Sequence, residues 1–405
     1  MRAERPAWLA RSGAETSISA IEIIEAIESS YAARIAAGER KETRTSAVIF
    51  PLGPYHPLLP EPYALRLRLQ GERIVAATEP VTGYGRRCLL DLITGQPLED
   101  ALVVLERTCA DAGQGYRLAL SLCAERAARI TAPRSAQLMR VFFAELEMTL
   151  SALWSLAELA RALNLRSLRA LGLEQRERIY AAASEATGQR VYWAIARPGG
   201  VREGIQFAAA RDLLEWLHGA VETWRVATAP KGALRRAAER ADARQAQATM
   251  DATGKANPPT GQPAREDARR RAPYDGYRAI TLDWTPLDDL PESVAVTSCA
   301  LRLATRLKLS YDIMRVCAET LGDALPAQAS APLKAGQGSA TIQTAHGPAR
   351  VDVTLAGDQT IAQVRLTTPC AAAMAQAPGW LLGHTLADLP ATLVGLDLCP
   401  SCADL

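Results

Sequence analysis

The sequence predicts an α+β protein in which a bundle of long helices is flanked by small antiparallel β-sheets. Helical periodicity dominates residues 85–225, and short runs of alternating apolar and polar residues occur at 65–70 and again within 339–368. With 405 residues, 48% of them apolar and 22% charged, the chain can bury a sizeable core. We divide it into five regions: 1–45, 46–100, 101–226, 227–273 and 274–405.

The first two regions are predicted to hold a helical extension and a hairpin. Residues 17–40 carry apolar side chains at three- and four-residue steps, which predicts an amphipathic helix. The run LRLRLQ, residues 65–70, alternates leucine with arginine and is followed by a predicted turn at Gln70-Gly71. This pattern indicates a half-buried β-hairpin.

The third region is predicted to be a helical bundle. Its clearest helix begins after Pro133, whose fixed φ suits a helix start, and is long enough to form the spine of the bundle. We expect Phe142 and Trp154 on this helix to be core residues. Residues 227–273 are rich in Ala, Arg, Gly and Pro, so we interpret them as a flexible basic surface insert, either a solvated linker or a contact for acidic lipid or a neighbouring subunit.

The last region begins with helical periodicity over residues 292–322. Three short alternating runs follow, at 339–344, 349–357 and 360–368, and Gly357-Asp358 is a turn signal between the last two. These runs predict a small antiparallel sheet before the C-terminal segment.

Composition excludes several classes of protein. A formal net charge of +2 gives no overall field that would attract nucleic acid. No apolar run approaches the roughly 18 residues that a membrane span requires, so we expect a cytoplasmic, soluble chain. Eight cysteines without a secretory signal indicate reduced thiols and candidate metal ligands.

The most specific motif is the pair Cys399 and Cys402 near the C-terminus. Two thiolates at this spacing can bind one metal from a single turn. A redox metal, half of a structural zinc site and a pair of idle thiols all remain open on this pair alone.

The C-terminal string resembles the ending of the large subunit of membrane-bound NiFe hydrogenases. It contains Gly383-His384, Ala387-Asp388 and the run Asp397–Cys402 at the spacing of that family. Near the other end, GPYHP at residues 53–57 resembles a signature that those hydrogenases share with the large quinone-site subunit of respiratory complex I. The resemblance implies the fold of these subunits, with both motif segments meeting at one face.

In the hydrogenase relatives, the resemblance implies four thiolates from two C-x-x-C pairs. Here the N-terminal pair is reduced to Cys109, because Ala112 stands where the second cysteine is expected. Cys109, Cys399 and Cys402 are therefore the candidate metal ligands. The options are a vestigial cleft without metal, ranked slightly first, a degenerate Ni/Fe site, and a zinc site completed by Asp or His.

Two further thiols could supply a missing sulfur. They are Cys88 and Cys123, and we expect Cys123 to be an inert core thiol within a helix.

In the complex I relatives the same cleft holds a quinone. The resemblance suggests His56, Arg87 and Arg107 as quinone-site residues, although Pro60 stands where a second family histidine is expected. Arg107 would stabilise a thiolate or semiquinone anion, or would simply form a salt bridge.

The resemblance also places two residues near a proton path. His384 and Asp388 are four residues apart and could share one helical face; an ordinary cap or surface pair is the alternative.

We therefore expect the large subunit of a complex I-like or hydrogenase-like oxidoreductase, peripheral on the cytoplasmic side of the inner membrane. Implied partners are an iron-sulfur small subunit carrying a cluster, a ferredoxin-like subunit and integral membrane proton-translocating subunits, with no nucleic acid. The alternatives are a redox-inactive scaffold or coupling subunit, and an active NiFe hydrogenase with altered ligands.

Overall fold

The computed structural model describes residues 47–59, 61–85, 88–253, 269, 274, 276–280, 282, 295–322, 328–329 and 332–404. They belong to one compact unit that spans Ala47–Leu405. The predicted N-terminal helix at residues 17–40 lies outside the described residues.

A three-stranded antiparallel sheet precedes the helices. Its strands are β1 (Val48–Leu52), β2 (Leu65–Gln70) and β3 (Arg73–Ala77), in the order β1-β2-β3. The predicted hairpin is confirmed, and the leucines of β2 are buried while Arg68 is exposed. The turn is one residue later than predicted, because Gln70 still pairs with Arg73 and the positive φ of 61° falls on Gly71.

Helices form most of the described structure between residues 88 and 321. They are α1 (Leu89–Ile93), α2 (Leu98–Leu105), α3 (Gly113–Ala128), α4 (Arg134–Ala162), α5 (Arg166–Thr187), α6 (Phe207–Thr228), α7 (Ala233–Thr253) and α8 (Val296–Leu321). A two-stranded hairpin, β4 (Ala196–Arg197) and β5 (Gly200–Val201), separates α5 from α6, and a 3-10 turn spans Tyr277–Ala279.

Helix α4 is the spine that the sequence predicts. Pro133 is its N-cap residue, and the helix continues for 29 residues with Phe142 completely buried. Trp154 differs from the prediction, because it is only partly buried and lines a cavity. The guanidinium of Arg176 lies 4.8 Å above its ring centre.

The predicted flexible insert is wrong over its first part. Helix α7 occupies residues 233–253, and its Leu234 and Ala238 are completely buried. Its Asp242 accepts hydrogen bonds from the backbone N–H groups of Val296 and Thr297 at 2.8 and 3.0 Å, which caps the start of α8. Further along the insert, Arg269 is also buried, so this arginine belongs to the interior instead of the basic surface we expected.

The predicted C-terminal sheet is confirmed. Strands β6 (Gly336–Thr344), β7 (Gly347–Leu355) and β8 (Ile361–Thr367) pair antiparallel in chain order. Strand β6 packs closely on α3 at Gly338, where an added Cβ would lie 1.9 Å from the carbonyl oxygen of Cys123. Glycine is therefore required at this contact.

The chain ends in three short helices: α9 (Cys370–Leu381), α10 (Leu389–Leu396) and α11 (Pro400–Ala403). They cover one face of the N-terminal sheet, so that Leu52 and Leu67 share a buried cluster with Trp380 and Leu393. The α+β prediction is confirmed. No helix in the described ranges is both long and apolar enough to span a bilayer.

Candidate functional site

Three segments that are distant in sequence bring three thiols and one imidazole together. Cys109, His346, Cys399 and Cys402 are all buried, and their ligand atoms all lie within 4.8 Å of one another. The Sγ atom of Cys109 is 3.6 Å from Sγ of Cys399 and 3.7 Å from Nε2 of His346. We call these four residues the cysteine–histidine cluster. The predicted convergence of the three candidate cysteines is confirmed.

Local chain geometry positions the first two donors. Cys109 lies in the tight turn between α2 and α3, where a Cβ on Gly113 would be 2.2 Å from the carbonyl oxygen of Glu106. Only glycine allows this close approach. His346 lies in the turn between β6 and β7, where its backbone N–H donates to the Thr344 hydroxyl at 3.3 Å.

The C-terminal pair is held from two sides. Cys399 is the N-cap residue of α11 and Cys402 lies within that helix. Glu61, four residues after the GPYHP signature, accepts from the backbone N–H of Ser401 at 2.8 Å and from its hydroxyl at 2.7 Å. The Tyr116 hydroxyl on α3 donates to Sγ of Cys402 at 2.9 Å. The N-terminal and C-terminal motif segments thus meet at one site.

Asp397 orients the histidine of the cluster. Its Oδ1 lies 3.1 Å from Nδ1 of His346, and its other carboxylate oxygen lies 3.9 Å from Arg306. A carboxylate on Nδ1 fixes the imidazole so that Nε2 faces the cysteines.

Neighbouring groups strongly shift the pKa values of residues in and beside the cluster. Hydrogen bonds from the thiols of Cys399 and Cys402 lower the pKa of Cys109 well below its ordinary value. Burial would lower the pKa of His346, but the Asp397 carboxylate and Cys109 raise it well above its usual value. Burial and the charge of Cys109 raise the pKa of nearby Asp111 to about 6.

A cavity of about 690 Å³ opens beside the cluster. Cys109, His346 and Cys399 form one wall, and the loop that follows GPYHP forms another. Three arginines also line it: Arg161, Arg169 and Arg176. The cavity is therefore large enough for a small organic molecule, and it offers thiols, these arginines and the acidic side chains of Glu61, Asp111, Glu158 and Asp397.

Two predicted site residues do not reach this cavity. Arg107 is exposed, donates to the carbonyl oxygen of Val103 at 2.6 Å, and places its guanidinium 5.0 Å above the Trp193 ring. Nδ1 of His56 accepts from the backbone N–H of Leu58 at 3.2 Å. Neither residue is among the described side chains that line the cavity. Proximity in sequence to Cys109 and to the GPYHP loop was not enough to predict the direction of either side chain.

His384 and Asp388 form a separate buried centre. Nδ1 of His384 lies 2.9 Å from the Thr392 hydroxyl oxygen and also contacts Gln245, and burial lowers the pKa of His384 to about 4. Asp388 accepts from the Thr385 hydroxyl at 2.7 Å and pairs with Arg244 at 3.3 Å. The predicted shared helical face is wrong, because both residues precede α10 and Asp388 is its N-cap residue.

The remaining candidates have diverse outcomes. Arg87 and Pro60 lie outside the described residues. Cys123 is a completely buried thiol on α3 that donates to the carbonyl oxygen of Val351 at 3.2 Å, and burial raises its pKa to about 12. The prediction of an inert core thiol is confirmed. Cys88 is the N-cap residue of α1 and is not among the residues that line the cavity.

Sequence reasoning missed His346 as the fourth donor and Cys370 as a neighbour of the C-terminal pair. The Cys370 thiol hydrogen-bonds with the thiols of Cys399 and Cys402. The available signal for His346 was weak: it is one of only four histidines and lies between two predicted strands. That pattern predicts a turn but not which residues the turn faces.

Comparison with known proteins agrees with the predicted resemblance. Residues 166–332 match the family model described as the 49 Kd subunit of respiratory-chain NADH dehydrogenase. This part of the chain is therefore similar to that subunit family. A subunit of the F(420)H(2) dehydrogenase of Methanosarcina mazei is 30% identical over 167 residues, which cover 40% of this chain and 43% of that protein. A subunit of the NADH-quinone oxidoreductase of Thermosipho melanesiensis is 28% identical over 165 residues, covering 41% and 45%.

Each match thus spans less than half the length of the curated relative. The fold is also that of a chain in the structure of the membrane-bound sulfane sulfur reductase, an archaeal respiratory membrane complex. That chain superposes with a TM-score of 0.74 at 20% identity, over 90% of this chain and 100% of its own length. The chain therefore shares its fold with a chain of that membrane complex.

Proposed function

We propose that this chain is the large subunit of a complex I-like respiratory oxidoreductase, peripheral to the membrane, and that its cavity is where electrons pass to an acceptor. One observation carries the proposal: Cys109, the GPYHP loop and the C-terminal motif border a single cavity in a chain related to the 49 Kd subunit family. The electrons would come from an iron-sulfur partner that binds at this face. Integral membrane subunits and a ferredoxin-like subunit complete the proposed complex.

The arginines in the lining of the cavity suit an acceptor that becomes negatively charged on reduction. Arg161 and Arg169 both approach Glu158, at 2.6 and 3.8 Å, whereas Arg176 stacks on Trp154. Arg176 and Trp154 therefore offer a flat, positively charged surface against which a planar headgroup could bind. A quinone is the acceptor that the name of one relative suggests.

One observation favours a second candidate, a scaffold subunit without its own acceptor site. His56 and Arg107, which the resemblance assigns to the quinone site, are not among the residues that line the cavity. A chain that had lost acceptor chemistry would still need the buried contacts between its motif segments to hold its partners.

Assembly is tested first, by purifying the tagged full chain from host membranes under mild detergent. We expect an iron-sulfur small subunit and integral membrane subunits to co-purify, identified by mass spectrometry. A chain that elutes alone from native membranes, in extracts where other respiratory complexes remain intact, would contradict membership of such a complex.

Enzymatic turnover of the assembled complex then distinguishes a subunit with an acceptor site from a scaffold subunit. Arg176→Ala removes the charge over Trp154, and we expect quinone reduction to fall at least about tenfold, which corresponds to about 1.4 kcal/mol in the barrier. Arg178→Ala is the matched control, because this residue lies on the same helix, is 55% exposed and does not line the cavity. Equal turnover in both variants, with assembly intact, would favour the scaffold.

A further inference from the structure

Two distances between donor atoms of the cysteine–histidine cluster match the edges of a tetrahedral metal site. Bonds of about 2.3 Å to sulfur and about 2.0 Å to nitrogen give a tetrahedron with edges of roughly 3.5–3.8 Å. The distances from Sγ of Cys109 to Cys399 and His346 are 3.6 and 3.7 Å, and no ligand atom of the four residues is more than 4.8 Å from another. We propose that Cys109, His346, Cys399 and Cys402 bind one Zn²⁺ in a closed Cys₃His site.

The surroundings orient the donors as a zinc site requires. Metal-binding histidines commonly donate their second ring N–H to a carboxylate, and Asp397 lies 3.1 Å from Nδ1 of His346. This leaves Nε2 for the metal. Two further donors point at the sulfurs: the Tyr116 hydroxyl at Cys402, 2.9 Å away, and the backbone N–H of Asp111 at Cys109, 3.4 Å away. Hydrogen bonds of this kind stabilise thiolate ligands.

The same donor set does not fit the nickel–iron centre that the hydrogenase resemblance implies. That centre needs four thiolates, whereas Ala112 occupies the place of the second N-terminal cysteine and an imidazole provides the fourth donor. Three thiolates and one imidazole are a common ligand set of structural zinc. All four positions come from the protein, so the metal would have no open site for a substrate.

A zinc ion here would join three separate parts of the fold. It would connect the α2–α3 turn, the β6–β7 turn and the C-terminal helix α11 at one wall of the cavity. Zinc does not change oxidation state, so the cysteines would hold the cavity wall and would not carry electrons. This inference does not depend on the proposed function, since metal content is measured whether or not the complex turns over.

The main alternative ligand set has Cys370 in place of His346. Its thiol contacts Cys399 and Cys402, so Cys109 with Cys370, Cys399 and Cys402 could in principle give four sulfurs. However, Cys370 is not within the group whose ligand atoms lie within 4.8 Å of one another. The proposal therefore assigns the fourth position to His346.

The test measures metal in the full chain by inductively coupled plasma mass spectrometry, after zinc loading and passage over a chelating resin. We expect about one Zn²⁺ per chain, the content of a single four-ligand site. His346→Ala and Cys402→Ser should lose it, while Cys370→Ser and the matched buried control Cys317→Ser should retain it. Asp397→Asn should bind zinc about 10- to 100-fold more weakly.

Three results would overturn the proposal: no retained zinc, nickel together with iron in its place, or zinc that is lost in Cys370→Ser but kept in His346→Ala. Because a ligand variant can fail to fold, Co²⁺ binding to the unmodified chain provides a second measurement. Intense sulfur-to-cobalt charge-transfer absorption is expected, and His346→Cys should retain the ion with a shifted spectrum. Absorption typical of six oxygen or nitrogen ligands would also refute the site.

Discussion

Buried acids in this molecule fall into two groups that differ in their partners. In the helical scaffold they face arginines: Glu125 pairs with Arg140 at 2.6 Å, and Glu145 pairs with Arg269 at 2.8 Å. Glu147, on the same helix as Glu145 but closer to the cysteine–histidine cluster, is held by the backbone N–H groups of Gln114 and Gly115 at 2.8 and 3.0 Å. Burial raises its pKa to about 8, so it is largely protonated at neutral pH.

This difference shows how charge is distributed around the site. The arginine-paired acids link helices to one another and to the β4–β5 hairpin, since Arg140 also donates to the carbonyl oxygen of Gly200 at 2.8 Å. Near the cluster, an ionised Glu147 would add negative charge beside thiolates, and burial without a cation prevents this. In the scaffold, ion pairs fix the positions of helices, whereas Glu147 beside the cluster is kept neutral by burial.

The largest expected effect comes from breaking a scaffold pair. Arg140→Met leaves Glu125 buried without its cation, which should lower the free energy of unfolding by about 3–5 kcal/mol. Chemical denaturation at neutral pH measures this change. The double variant Glu125→Leu/Arg140→Met is the control and should recover most of the loss, because no unpaired charge remains. A single-variant loss below about 1 kcal/mol would remove the distinction between the two groups.

Glu147 should make the free energy of unfolding depend on pH, because ionising this buried carboxyl group is unfavourable. Its folded pKa of about 8 lies above the ordinary value of 4.5, so its contribution to stability is full below pH 4.5 and is lost as the pH rises to about 8. Glu147→Gln cannot ionise. The stability of the native protein relative to this variant should therefore fall by up to about 4 kcal/mol over that range, as measured by urea unfolding at several pH values. If the difference in free energy of unfolding between the native protein and Glu147→Gln does not change with pH, Glu147 is ionised in the folded state.

The contribution of His384 to stability should depend on pH in the opposite direction to that of Glu147, and the change should be smaller. Its folded pKa of about 4 lies below the ordinary value of 6.5, so its contribution is present above pH 6.5 and is lost as the pH falls towards 4. We expect the free energy of unfolding to fall by up to about 3 kcal/mol over this pH range, and this fall should be absent in His384→Gln. Nuclear magnetic resonance titration of the imidazole checks the pKa directly, and a value near 6.5 would contradict the buried, neutral state.

The smallest effect is expected where an ion pair is exposed to solvent. Glu222 accepts from Arg225 one helical turn away at 2.6 Å, but the side chain of Arg225 is 61% exposed. Glu222→Gln should change the free energy of unfolding by no more than about 0.5 kcal/mol. Thermal denaturation in low salt provides the measurement. An effect comparable to that of Arg140→Met would mean that burial does not separate the two kinds of pair.

Periodicity was sufficient to predict most of the fold. The spine helix, the β2–β3 hairpin and the C-terminal sheet follow from local patterns that match the observed burial, as in the alternating leucines of β2. Helix α7 was missed because a helix made mostly of alanine and arginine has low overall hydrophobicity, although Leu234 and Ala238 are completely buried. Small side chains can fill a tight interface that hydrophobicity alone does not indicate.

The candidate site was predicted in part, for a similar reason. Spacing and family resemblance identified Cys109, Cys399 and Cys402. The fourth donor, His346, depends on the direction of a hairpin turn, which is set by the packing of β6 on α3. Arg107 turns outwards and stacks on Trp193, and the sequence does not indicate this direction of the side chain.

Asp397 has two structural roles, one through its backbone and one through its carboxylate. It ends α10 in the left-handed conformation, with φ 50° and ψ 47°, and it also holds the ring of His346. Glycine would satisfy the backbone alone, and glutamate would offer a carboxylate but tolerate the left-handed conformation less well. Substitutions at this position should therefore be accepted in related lineages chiefly where residue 346 has also changed, and the two positions should vary together.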